Sequence, residues 1–185
     1  MVFLNDTIAA PDSVVGYHGC HIETARLLLD GGPFRASTND YDWLGSGVYF
    51  WEYAPNRARE WAEALHGKQW AVLTGTIRLG DCLNLLDNRF YDDLKRVHRE
   101  MVATFETTGL ELPKNRGGAN RLDRLVIDEL CDRYRFVGAH FDTVRGCFPE
   151  GSPLFEGSTL LSLTHAQIAV RNPACIGNLE LVNYS

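Results

Sequence analysis

Three short segments carry residue types from which a binding cleft can be made. In "GYHG", residues 16–19, His18 stands in a glycine frame; in "WLGSGVYFWE", residues 43–52, Gly45 and Gly47 lead into Val48, Tyr49, Phe50 and Trp51. A glycine has no Cβ, so a ligand can approach its backbone N–H and C=O closely. Gly19 can thus offer both groups to a planar amide, while the His18 imidazole can hold a hydroxyl. Tyr49 offers a ring face for stacking. A planar heteroaromatic amide attached to a sugar suits both segments. The third segment, "LTHAQIAVRNP" at 163–173, spaces His165 and Gln167 two apart, which places them on one face of a strand. Gln167 can donate to and accept from hydroxyls but cannot take a proton at neutral pH. His165 can position or deprotonate a nucleophile.

Common alternatives are absent. Gly45-Ser46-Gly47 opens like a dinucleotide fingerprint, yet Phe50 stands where the third glycine would pack helix on strand. No G-x-x-x-x-G-K-[ST], H-E-x-x-H or G-x-S-x-G occurs, and the histidines show no ligand spacing with Cys or carboxylates. No metal site is expected.

The elements that must hold these segments follow from periodicity. "HIETARLLLDGG" places Ile22, Ala25, Leu28 and Leu29 at helical spacing and ends at paired glycines; "NRAREWAEALH" puts Ala58, Trp61, Ala62 and Leu65 on one face. "WAVLTGTIRL" has the β-branched and aromatic bias of a strand. Helices are predicted around "FYDDLKRVHREMVATFE" and "RLDRLVIDELCDRY", separated by a loop containing Pro113, Gly117 and Gly118. "RFVGAHFDT" and "HAQIAVRN" read as late strands. This order is neither a βαβ alternation nor a helical bundle, so the predicted class is α+β.

With 185 residues, 45% of them hydrophobic, the chain suits a single domain, 1–185. The net charge of -6 argues against general affinity for nucleic acid or an anionic membrane, leaving any polyanion contact local. Lys95, Arg96, Arg99, Lys114, Arg116, Arg121 and Arg124 alternate with acids and read as a solvated surface, unless some converge on the cleft to guide a nucleic acid. Five cysteines without a C-x-x-C pair read as reduced thiols of a cytoplasmic protein. "MVFLNDTIAAPDS" has neither signal-peptide nor membrane-helix character.

"YHG", "GSGVYF" and the late "HAQIAV" together resemble the ADP-ribosyltransferase superfamily, in the branch of poly(ADP-ribose) polymerases and diphtheria-type toxins. The resemblance covers roughly residues 15–62 and 162–176. It implies a split β-sandwich of two antiparallel sheets with flanking helices around a cleft for NAD, the substrate. In that likeness His18 and Gln167 bind ribose hydroxyls, Gly19 the carboxamide, Tyr49 stacks on nicotinamide, and Arg35 lies near the adenine or pyrophosphate. Gln167 replaces the usual Glu, which favours single transfer over polymer formation. The implied activity is mono-ADP-ribosylation of a macromolecular acceptor, protein or nucleic acid, by a toxin or effector with a neutralising partner protein. The alternatives are an NAD glycohydrolase and a non-catalytic NAD- or ADP-ribose-binding module. The loop entering the Gln167 strand, with Phe148 and Phe155, selects the acceptor in similar transferases. Packing remains the competing role for Tyr49, among core-like Val48, Phe50 and Trp51, and for Trp61.

Overall fold

The computed structural model describes residues 11–184, so most of the N-terminal segment read above lies outside the described residues. Seven strands form one sheet. They are β1 (Ser13–His21), β2 (Val48–Glu52), β3 (Trp70–Arg78), β4 (Cys82–Asn84), β5 (Thr143–Phe148), β6 (His165–Val170) and β7 (Ile176–Leu181). Their spatial order is β4-β5-β6-β2-β1-β3-β7, antiparallel at every pair except the parallel β4–β5. Four helices accompany it: α1 (Ile22–Leu29), α2 (Pro55–His66), α3 (Tyr91–Thr108) and α4 (Arg121–Phe136). The class is α+β, and the hydrogen-bonded ladder runs through all seven strands as a single sheet.

Side chains alternate across the strands and so feed two faces. On one face α3 and α4 cover the β4–β5–β6 end, where Val97, Met101, Ile127 and Leu130 meet Leu83, Val144 and Ala169. On the same face α2 lies over β1 and β3, with Ala58 packed among Trp51 and Val72. On the other face α1 packs through Ala25 and Leu28 on Cys20 and Leu73.

Two sequence expectations are corrected. Of residues 135–143 only Thr143 belongs to a strand: α4 runs to Phe136, and β5 spans Thr143–Phe148, taking in Phe148 of the stretch read as loop. The helical period of Val126, Ile127, Leu130 and Cys131 carries the chain past the β-branched signal of "RFV", leaving Phe136 and Val137 exposed. Leu65 is likewise exposed at 55%, because α2 approaches the sheet on the small side chains Ala58 and Ala62, not on its full apolar stripe.

Candidate functional site

Strands β1 and β2 pair only at Gly16↔Glu52 and Tyr17↔Trp51. Beyond Tyr17, β1 stays with β3 as far as His21↔Trp70, while β2 follows β6 to Val48↔Val170. The two strands therefore part at His18. There the His18 ring spans the gap, with Nδ1 2.9 Å from the Tyr49 carbonyl oxygen. Since a carbonyl only accepts, that contact puts the ring proton on Nδ1 and leaves Nε2 as a lone-pair acceptor. Burial holds the His18 pKa below its ordinary value, the carbonyl contact offsetting part of the shift, so the imidazole is neutral at pH 7.

A cavity of about 680 Å³ opens where the strands part, within the range of small-molecule sites. The six residues singled out from the sequence, His18, Gly19, Arg35, Tyr49, His165 and Gln167, all line it. They come from β1, the loop after α1, β2 and β6.

Gly19 has a structural reason of its own. A Cβ there would lie 2.4 Å from the Ala58 carbonyl oxygen and 3.0 Å from the Ala62 Cβ, so the missing side chain is what lets α2 seat on β1. Tyr49 is also more than a ring face: its hydroxyl donates to the Gly45 carbonyl at 2.7 Å and accepts from the Leu44 N–H at 2.9 Å. Burial and the nearby Asp42 carboxylate push its pKa up, so it stays protonated. The hydroxyl ties down the glycine loop that precedes its own strand.

That loop is clamped from behind by residues the sequence reading missed. Asp128, on α4, accepts from the Ser46 N–H at 2.8 Å and the Ser46 hydroxyl at 2.7 Å, and pairs with Arg171 Nη1 at 2.6 Å. Arg171 in turn donates to the Ser46 carbonyl. Gly45 has φ +80°, and a Cβ on it would sit 2.8 Å from Asp128 Oδ1, so both its conformation and this clamp call for glycine. An i, i+4-type motif search cannot find such a clamp, since its parts are 43 and 82 positions apart.

On β6, Gln167 is buried and its Oε1 accepts from the Trp43 indole N–H at 2.6 Å. His165 shares its face, but its Nδ1 lies 2.6 Å from the Leu163 carbonyl oxygen and its Nε2 is buried without a partner among the described residues. The ring lies near Trp51 and Phe148. Burial lowers its pKa, opposed mainly by the Leu163 carbonyl and reinforced by the Arg57 charge, so the imidazole is neutral at pH 7. A protonation limb at 6.5, the expectation for a free imidazole base, moves to lower pH.

Besides Arg35, the charged wall residues among those described are Asp42, Arg57 and Glu150. Asp42 Oδ2 accepts from the Ser37 hydroxyl and the Asn39 N–H, bracing the loop between α1 and β2; burial raises its pKa. Arg57 reaches from α2 to Glu150 and Glu60 at 2.9 and 2.6 Å. Trp61 packs on Trp51 and also faces the cavity, so its packing and lining roles coexist. None of the seven basic residues from Lys95 to Arg124 lines the cavity: Lys95, Arg96 and Arg121 are paired with aspartates, and Arg124 donates to the Thr38 and Asn39 carbonyls. Away from the cavity, His140 comes together with Asp81 and Asp142 within 4.8 Å, a grouping that linear spacing did not show. Asp142 there accepts from the Asp81 N–H and the Asn172 amide.

No family model matches the chain. It is 24% identical over 182 residues, 89% of its length, to an uncharacterized protein, MJ0359, of Methanocaldococcus jannaschii, of which the match covers 85%. Among the described residues no helix is long and apolar enough to cross a membrane.

Proposed function

We propose that the chain is an NAD-dependent mono-ADP-ribosyltransferase acting on a macromolecule where NAD is available inside cells. The observation that carries the proposal is the convergence of three chain-remote segments, around His18, Tyr49 and Gln167, on one cavity where β1 and β2 part. The His18 lone pair would accept from a ribose hydroxyl, the Tyr49 ring would face the nicotinamide, and Gly19 backbone groups would meet its carboxamide. Arg35, exposed on the rim and free of protein partners among the described residues, would face the pyrophosphate or adenine. Cleavage of the nicotinamide–ribose bond sends the electron pair to the ring nitrogen, and the acceptor nucleophile takes the ribose carbon. Holding both parts in register lowers the barrier chiefly by positioning.

The same proposal takes the continuous ladder as a split sandwich. Its seam is the two-pair β1–β2 junction, across which Val14, Ile77 and Leu79 of one half pack with Val48, Phe50, Ile168 and Val170 of the other. Gln167 in place of a carboxylate favours, as a second reading, an NAD-binding module or glycohydrolase. Incubation with NAD labelled in its ADP-ribose part, followed by separation of protein, RNA and DNA, tests all three. Label on a macromolecule supports transfer; free ADP-ribose alone selects hydrolysis. Bound intact NAD without nicotinamide release selects the module, and absence of binding overturns the assignment of the cavity.

A further inference from the structure

Transfer from a site whose late strand carries Gln167 leaves one chemical need unmet: a group that takes the proton of the attacking nucleophile. Only two carboxylates line the cavity among the described residues, Asp42 and Glu150. Asp42 is 2% exposed, and the oxygen described above is committed to Ser37 and Asn39. The basic nitrogen of His165 is sealed in, with the side chain 3% exposed and Nδ1 spent on the Leu163 carbonyl.

Glu150 differs from both. It sits in the loop after β5, its side chain is 42% exposed, and both of its close contacts fall on Oε2: Arg57 Nη2 at 2.9 Å and His165 Nδ1 at 3.8 Å. Oε1 has no protein partner among the described residues. One oxygen is thus held from α2 by Arg57, while the other is left uncommitted on a residue that lines the cavity.

We propose that Glu150 is the general base for the acceptor in this cavity, in place of the carboxylate missing at Gln167; the inference rests on the transferase reading above. In the step, the acceptor's X–H bond breaks and its proton passes to Glu150 Oε1. The X electron pair forms the bond to the ribose carbon while the carbon–nitrogen bond to nicotinamide breaks, its pair neutralising the pyridinium. Glu150 then returns the proton to water. Arg57 holds the carboxylate in place, and the loop that follows Glu150 exposes Leu154 and Phe155.

The test uses the full chain, labelled NAD, and whichever macromolecular fraction takes label from the wild type. Glu150→Gln keeps the Arg57 contact but cannot accept a proton, so transfer should fall by about 100-fold, as expected for loss of a general base. NAD affinity by calorimetry should stay within about twofold, a change of under about 0.5 kcal/mol. Formate should restore transfer in Glu150→Ala, and Glu150→Asp should retain part of it. Wild-type transfer in folded Glu150→Gln, or loss of NAD binding in step with loss of transfer, would overturn the role of Glu150 while leaving the transferase reading intact. A wild type that binds NAD but labels nothing overturns the transferase reading and this inference with it.

Discussion

Tyr49 is asked to do two things at once, and a pair of substitutions separates them. Tyr49→Phe keeps the ring and deletes the hydroxyl that joins the Gly45 carbonyl and the Leu44 N–H. Leu44 is fully buried, so its N–H loses its partner without gaining water. An unsatisfied buried donor costs about 1–3 kcal/mol, which puts the loss near 2 kcal/mol. For a chain of this size that is a drop of roughly 4–8 °C in Tm. Tyr49→Leu suffers the same loss and also removes the aromatic face while roughly keeping volume. The difference in NAD affinity between the two variants therefore isolates stacking, worth about 1 kcal/mol, or roughly fivefold in Kd. Calorimetric titration of both proteins with NAD, beside thermal unfolding, is the assay. Equal NAD affinity in folded Tyr49→Phe and Tyr49→Leu would refute stacking and leave Tyr49 as the anchor of the glycine loop alone.

Gly19→Ala should cost about 1–3 kcal/mol in urea unfolding, because the added Cβ strikes the Ala58 carbonyl and α2 must shift; wild-type stability would mean that α2 yields freely. Asp128→Ala removes three contacts and leaves Arg171 without its carboxylate, with an expected loss of about 2–3 kcal/mol and faster amide exchange at residues 45–47; unchanged exchange there would show that the Tyr49 hydroxyl suffices. Stability should fall as pH drops from about 6.5 towards 5. His18 and His165 have pKa values held below the unfolded value near 6.5, so in that window the unfolded chain binds more protons. Denaturant midpoints at pH 7.5 and 5.5 measure the effect, and His165→Gln should flatten it; an identical slope in that variant would show that His165 charges freely in the fold.

Local patterning carried much of this molecule. The early glycine-framed His18, the "GSGVY" turn into a strand and the late His165–Gln167 strand were all legible, because each depends on neighbours within a few positions. The α+β class followed from the order of such patterns, and the boundary of α4 was misplaced where two local signals overlapped. What the tertiary structure alone decided is how these pieces meet. The parting of β1 from β2 arises because each strand finds a longer ladder with another partner, β3 or β6, in a competition between pairings far apart in sequence. The Asp128–Arg171 clamp, the Trp43–Gln167 bond and the Arg57–Glu150 pair join residues 43, 124 and 93 positions apart. No sequence period encodes such separations: the chain brings them within hydrogen-bond reach only once burial of the core has fixed the course of every strand.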